Sequence, residues 1–600
     1  MPVDAPPIRN PAHAEYARRL GELRAEQASF QRRHERLGIA KVVVALVAVF
    51  FFIAGIAARH ISLWILIPVV FFVLLEVTHG RVMQNLRRCS RLRAFYERGL
   101  ARLDNTWMGT GETGERFLDP AHLYARDLDL FGKGSLFELL CTARTRAGEQ
   151  ALAGWLLGPA DAEEIGARQA AIVELRERLD LREDLAVLGE SVRAGIQPDA
   201  LVAWAEGEPV FPSGAERTAA TALVVLWVLS LAAWAAWGWP VIALASSLLN
   251  VWFSYRYRDR QRIFIKPLED AARDVGLLSE VLARLEREKF ASAKLVALRA
   301  KLLTGGIAPS RALAALRKLV ERLESRRNPF LGFVDPFVFW TLQLSFALEA
   351  WRKKFGPALR GYVAAIGETE ALLALAGYAY ENPDDVFAEF AEDAPCFEAQ
   401  AFAHPLIPVE RAVRNDLKLD RELQLMIISG PNMAGKSTFV RAVGTNALLA
   451  LCGAPVRARR LRISRLALCA SICILDSLQG GMSHFYAEIA RLKQITDAAG
   501  GSLPVLFLLD ELLQGTNSHD RRIGSAAVVK SLVAHGAMGM VTTHDLALTQ
   551  IADSLGTHAT NVHFEDRLEG GKLIFDYRLS PGIVQTSNAL DLMRSIGLEV

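Results

Sequence analysis

The stretch "GPNMAGKST" holds the residues best suited to do chemistry. Gly430, Pro431, Asn432, Met433, Ala434, Gly435, Lys436, Ser437 and Thr438 fit the spacing G-x-x-x-x-G-K-[ST], with one further threonine. Each part acts on a polyphosphate. The glycines let backbone N–H groups curl around β- and γ-phosphates, Lys436 brings a mobile positive charge, and Ser437 offers a hydroxyl to Mg2+. In "PVLFLLDELLQGT" an apolar run ends in Asp510 and Glu511. Asp510 can hold Mg2+, directly or through water, and Glu511 can polarise an attacking water. In "MGMVTTHDLAL" another apolar run ends at His544, where an imidazole can bond a γ-phosphate or simply serve the structure. The chemistry these residues predict is ATP binding and Mg2+-dependent hydrolysis.

Such groups need a scaffold that brings them together. "LQLMII" reads as a short buried strand leading straight into the glycine loop, and a helix should open at its end. Val505 to Leu509 reads as a second strand and the run before His544 as a third. This is the pattern of an α/β domain with its site at the strand ends.

"GPNMAGKST", "DELLQGTNSHD" and "TTHD" closely resemble the ATPase domain of the MutS mismatch-repair family, a branch of the ABC-type ATPases. "AFAHPLI" and "VRNDLKL" resemble that family's run-in to the loop, and "DLDLFGKGSLFELLCTARTRAGEQALAGWLLGP" resembles its helical core. The resemblance runs from about Asp127 to the C-terminus. It implies a homodimer in which Ser483, within "GMSHFYAEIARLKQI", reaches the opposite subunit's nucleotide. It also implies DNA as a partner. The sequence departs from the family in several places. The mismatch-reading N-terminal domain with its Phe-x-Glu has no counterpart, and the middle is short for a full lever and clamp. No helical tail is expected before Val600. Where the family stacks an aromatic residue on adenine there is Ala412. Tyr577 falls near a position from which a family histidine approaches the base, and could take that role.

The rest of the chain points to a membrane. Val42 to Ala58 and Ile61 to Leu75 are apolar runs that read together as a helical hairpin. Thr218 to Tyr255 carries no charge, and Gly238 and Pro240 break it into a second pair. Phe330 to Trp351 is apolar too, but it holds Asp335 and Glu349 and reads as a core helix. Arginines crowd the outer flanks of both hairpins, from Arg18 to Lys41, Arg81 to Arg93 and Arg256 to Arg262. Basic flanks stay cytoplasmic, so the soluble parts should face the cytoplasm. The start, "MPVDAPPIRNPAHAEYARRL", lacks the pattern of a cleavable signal. Six cysteines without a CxxC pair read as ordinary buried thiols in a reducing compartment. The net charge of +3 neither favours nor excludes nucleic acid.

The expected architecture is multidomain: a mostly α-helical core with four transmembrane helices, followed by a C-terminal α/β P-loop ATPase domain of ABC type. The segments are 1–41, a basic cytosolic helix; 42–77, the first hairpin; 78–217, the first part of the core; 218–255, the second hairpin; 256–385, the rest of the core; and 386–600, the ATPase domain. The expected protein is an integral plasma- or inner-membrane ATPase with catalytic residues Glu511, His544 and Lys436. Its ATP contacts would run from Gly430 to Thr438 with Ser483 and Tyr577, and Ser437 and Asp510 would hold Mg2+. A membrane scaffold or remodelling ATPase without DNA is the first alternative. A transporter-type ABC ATPase is the second.

Overall fold

A computed structural model describes residues 10–57, 66–188, 198–211, 214–302, 308–325, 329–431, 434–473, 484–569 and 572–584. The chain begins with two long antiparallel helices, α1 (Pro11–Ala57) and α2 (Leu66–Leu103). Short helices follow: α3 (Leu136–Leu140), α4 (Arg146–Leu157), α5 (Ala162–Arg176), α6 (Leu179–Leu188) and α7 (Pro198–Glu206). A second long pair comprises α8 (Gly214–Trp237) and α9 (Pro240–Glu286). Helices α10 (Ala293–Leu302), α11 (Pro309–Glu324), α12 (Pro329–Val338) and α13 (Trp340–Glu381) complete the helical part. Polar N-caps fix where several begin. The Thr145 hydroxyl accepts from the Gly148 amide at α4, and the Asp161 carboxylate accepts from Glu164 at α5.

Besides the bent pair α12–α13, which makes a fourth candidate if taken as one span, three helices among the described residues, α1, α2 and α8, are long and apolar enough to cross a membrane. Their apolar stretches face outward: Phe50 on α1 is 69 % exposed, and many large apolar neighbours are exposed with it. The expected fourth span, at the start of α9, is not among them. Its apolar stretch from Pro240 holds Ser246, Ser247, Asn250, Ser254 and Tyr255 and is followed by Arg256, so its mean hydropathy is lower. The second pair is tied together inside its apolar part by polar bonds. Ser230 and Ser246 hydroxyls lie 2.7 Å apart, and Trp227 Nε1 donates to Ser247 Oγ at 2.9 Å.

Three of these helices, α1, α2 and α9, run on without a break into the helical core. At its N-terminal end α1 buries Tyr16, Leu20 and Leu23 against Leu92 and Tyr96 of α2 and Leu179 of α6. Arg102 at the end of α2 donates to both oxygens of Glu381, whose side chain is 3 % exposed, and Tyr16 donates to the same carboxylate at 3.2 Å. A buried ion pair with its remaining oxygen sites filled holds these three helix ends in one arrangement. Helix α13 is the central rod. It packs on α4, α5, α7, α9, α10 and α11, and its end joins the C-terminal domain through Arg457, which donates to Asn382 Oδ1 at 3.0 Å and pairs with Asp385 at 3.6 Å.

The segment Phe330 to Trp351, expected as one core helix, is two helices bent by 70°. The bend falls at Phe339, whose φ of 54° is left-handed. From Thr341 onward α13 is buried as expected, but α12 is not: Phe333 is 76 % exposed. Asp335 explains the break. Its two carboxylate oxygens accept from the Thr341 amide at 2.7 Å and hydroxyl at 2.8 Å, capping α13 and satisfying the acid within an apolar sequence.

The C-terminal domain is α/β, with helices α14 (Lys436–Cys452), α15 (His484–Ala499), α16 (Ser518–Ala534) and α17 (Leu546–Leu555). A mixed four-stranded sheet has the order β1-β5-β2-β3, from β1 (Glu389–Phe390), β2 (Phe397–Phe402), β3 (Asn415–Leu419) and β5 (Arg460–Ile463). The main sheet has the order β12-β9-β4-β8-β7-β6. It comprises β4 (Leu425–Ser429), β6 (Ala467–Ser471), β7 (Val505–Asp510), β8 (Met538–Thr543), β9 (Ala559–His563) and β12 (Ser580–Pro581). All its pairings are parallel except β12 with β9. A small hairpin, β10 (Asp566–Glu569) and β11 (Lys572–Phe575), follows β9. Five cysteines are buried as expected, and Cys473 is half-buried.

Candidate functional site

The site is assembled at the carboxyl ends of three adjacent parallel strands. β4 is buried along its whole length, as strands covered on both faces are. It pairs with β8 so that Ser429 lies beside Thr543, and β8 pairs with β7 so that Thr542 lies beside Asp510. That register delivers the glycine loop, His544 and the Asp510–Glu511 pair to one place.

The loop's glycines answer steric demands. A Cβ at Gly430, where φ is 141°, would lie 2.6 Å from the Phe564 carbonyl oxygen. At Gly435, where φ is 98°, it would lie 2.9 Å from the Tyr577 ring. Gly435 is also the N-cap of α14 and supplies no side-chain partner to the first helical amides. Those N–H groups and the positive end of the helix dipole remain for an anion.

Lys436 is 4 % exposed, and its ammonium donates to the carbonyls of Gly430 at 2.8 Å and Pro431 at 3.0 Å. It stands 3.3 Å from His544 Nδ1 and 3.9 Å from Glu511 Oε1. His544 Nε2 and Gln514 Nε2 both contact the Glu511 carboxylate. The Glu511 amide donates to the Thr542 carbonyl and hydroxyl oxygens, each at 3.2 Å, with Glu511 held at a left-handed φ of 52°. The Thr542 hydroxyl in turn donates to Asp510 Oδ1. Asp510 Oδ2 takes no hydrogen bond from any other described residue. The His544 bond foremost, with Lys436 and Gln514 adding to it, holds Glu511 below the usual carboxylate range against the opposing effect of burial. Burial pushes the Lys436 ammonium down, opposed by Glu511 and Asp510. Ser437 and Thr438 are exposed beside it on the first turn of α14.

A cleft of about 640 Å³ opens over this cluster, a size that suits a nucleotide. Its floor is Gly435 to Thr438, and Ala412, Val413 and Asn415 line one side. Tyr577 reaches it because Asn415 brackets its backbone: Asn415 Nδ2 donates to the Tyr577 carbonyl at 3.1 Å, and Leu579 N donates to Asn415 Oδ1 at 2.8 Å. The Phe575 and Tyr577 rings lie 6.0 Å apart at the cleft.

The structure therefore brings together Gly430, Pro431, Gly435, Lys436, Ser437, Thr438, Asp510, Glu511, His544 and Tyr577. Ala434 is buried behind the loop. Asn432, Met433 and Ser483 lie outside the described residues. Thr542 and Gln514 were missed by the sequence reading. "TTHD" and the i+3 spacing from Glu511 to Gln514 were the available signals. His404, also missed, is a buried cleft residue whose imidazole burial pushes down to about 4, with Arg441 and Arg457 adding to the effect. The hydroxyl of Ser437 and the carboxylate of Asp510 are hard donors of the kind Mg2+ takes, so the residues present fit that ion.

Residues 426–599 match the family model of MutS domain V. The DNA mismatch repair protein MutS of Geobacillus thermodenitrificans is 29 % identical over 293 residues, covering 48 % of this chain and 32 % of the relative. That of Lactobacillus delbrueckii subsp. bulgaricus is 30 % identical over 233 residues, covering 36 % of this chain and 27 % of the relative. That of Geobacillus kaustophilus is 29 % identical over 295 residues, covering 47 % and 32 %. The matched stretch thus spans about a third of these relatives' length or less.

Proposed function

Because the C-terminal domain of this chain belongs to the MutS family, we propose that the protein is a membrane-anchored ATPase that acts as a homodimer and contacts DNA. The observation that carries the ATPase reading is the convergence of Lys436, His544, Asp510 and Glu511 at the head of the glycine loop. In this reading ATP lies in the cleft with its phosphates on the loop amides and Lys436. Ser437 and Asp510 would hold Mg2+, which supplies charge neutralisation on the phosphate oxygens. Glu511 takes a proton from a water whose oxygen attacks the γ-phosphorus, while the bond to the ADP oxygen breaks. His544, beside Lys436, orients Glu511 and is near enough to bond the γ-phosphate. Tyr577 stands in for the missing aromatic at Ala412 and faces the base. By family resemblance, Ser483 completes the site of the partner subunit.

The bilayer part of the proposal rests on the exposed apolar stretches of α1, α2 and α8, with the soluble parts in the cytoplasm. DNA contact would come from Lys and Arg of the helical core to phosphates, which position but do not specify. Such binding should be salt-sensitive and linked to the nucleotide state. It should separate matched from mismatched duplex by less than the ~1 kcal/mol of one good base contact. Titrating detergent-solubilised protein against both duplexes, at two salt concentrations and with and without ATP, tests this. A tenfold mismatch preference would refute the phosphate-only contact. Absence of binding at low salt would favour the second reading, a membrane scaffold or remodelling ATPase without DNA. The continuity of α1, α2 and α9 from apolar belt to core favours that reading, since ATP-driven closure could be delivered along them to lipid.

A further inference from the structure

We infer that α12 is a third membrane-contacting element, an interfacial helix whose exposed apolar side lies among lipid chains beside the α8–α9 pair. The inference rests on the membrane reading proposed above.

Position is the first argument. The Phe337 ring stacks on Trp227 of α8 at 5.5 Å, and Asn250 Nδ2 of α9 donates to the Phe337 carbonyl at 2.9 Å. Trp227 and Asn250 both lie inside the uncharged stretch Thr218 to Tyr255. At 1.5 Å rise per residue, they stand roughly 7–14 Å inside its cytoplasmic ends. Residues just beyond α12 mark the boundary. Phe339 packs on Phe253 at 5.3 Å, and Gln343 Nε2 reaches the Thr221 hydroxyl at 3.4 Å. If the α8–α9 pair enters the bilayer, the end of α12 enters with it, to about the 5–10 Å at which in-plane helices sit.

Chemistry is the second argument. "PFLGFVDPFV" has one ionisable side chain, Asp335, and both its oxygens are taken by Thr341. No other charge opposes burial in lipid. Phe333 is about three-quarters exposed, which leaves apolar area in water that hydrocarbon would cover. The 70° bend to α13 sets α12 across the direction of the long core helix, so the two do not continue as one rod. Just beyond the same level, α9 presents Arg256, Arg258 and Arg262, all exposed and without a carboxylate at ion-pair distance among the described residues. These fit anionic headgroups at the edge of such a contact. Because α13 continues from α12 to Arg457 of the C-terminal domain, the contact lies at one end of a rod whose other end touches the nucleotide-binding unit.

The test uses the full chain in lipid nanodiscs with Cys473→Ser, the five other cysteines being buried. A fluorophore is placed in turn on Phe333→Cys, on Leu229→Cys of α8 and on Val296→Cys of α10, three exposed positions. Quenching by lipids with nitroxides in the acyl chains is then measured. The expected result is strong quenching at 229, at least half as much at 333, and none at 296. Quenching at 229 with 333 behaving like 296 would overturn the α12 assignment alone. If Phe333→Cys then formed disulfide-linked dimers, the occupant would be a second copy of the chain. No quenching at 229 or 333 would remove the membrane reading and this inference together.

Discussion

If Glu511 is the base of the proposed ATPase, replacing it by glutamine should separate binding from chemistry. The carboxylate lies 3.9 Å from the Lys436 ammonium. At an effective dielectric near 20, that pair attracts by about 4 kcal/mol. A bound γ-phosphate would meet the same carboxylate as a like charge, so the negative charge aids Lys436 but opposes the nucleotide. Glutamine keeps the side chain's shape and removes the charge, and ATP affinity should be no weaker than in the unaltered protein. Turnover should fall by roughly 10²–10⁴-fold, the usual worth of a general base, which is about 3–5 kcal/mol on the barrier. Phosphate release by detergent-solubilised protein measures the second quantity, and titration with a fluorescent ATP analogue measures the first. The hydrogen bond from His544, foremost, holds Glu511 below the usual carboxylate range. In the nucleotide-free site Glu511 is therefore ionised throughout the neutral range. Turnover within threefold of the unaltered protein would refute the assignment of the base. Loss of ATP binding would show that the charge holds the site together instead.

Lys436→Ala should weaken ATP binding by tenfold or more, since the ammonium stands at the head of the glycine loop beside His544 and Glu511; unchanged affinity in the same titration would refute its phosphate role. Gly539→Ala should destabilise the C-terminal domain by about 3 kcal/mol, because its Cβ would come within 2.0 Å of the Phe507 carbonyl oxygen; a chemical denaturation curve identical to that of the unaltered protein would contradict the β7–β8 register. Buried Glu370 accepts from Thr145 and from the Arg144 and Thr145 amides, and burial raises it to about 7. Its folded form holds the proton longer than its unfolded form, so its stabilising contribution is complete below about pH 4.5 and is lost as pH rises through 7, by on the order of 3 kcal/mol. Glu370→Gln should flatten that part of the stability-against-pH curve, and an unchanged slope would refute the assignment.

Some features of this protein were written in adjacent residues, and these the sequence determined. The glycine loop needs only its own spacing, a strand before it and a helix after it, and all are contiguous. Long uncharged runs likewise declare apolar helices, because no distant partner is needed to make them apolar. Asp510 and Glu511 were legible for the same reason, sitting at the end of a strand that five consecutive apolar residues announce. The tertiary structure decided what depends on which strands become neighbours. The order β4-β8-β7 sets Lys436 against His544 and Glu511 and brings Thr542 to Asp510. Tyr577 reaches the loop only because Asn415 grips its backbone from another sheet. The division of Phe330 to Trp351 was equally a tertiary matter. Apolar composition is the same for a core helix and a lipid-facing one, and only the Asp335–Thr341 cap, the turn at Phe339 and the contact with Trp227 and Asn250 show where the chain changes direction and which face it leaves open.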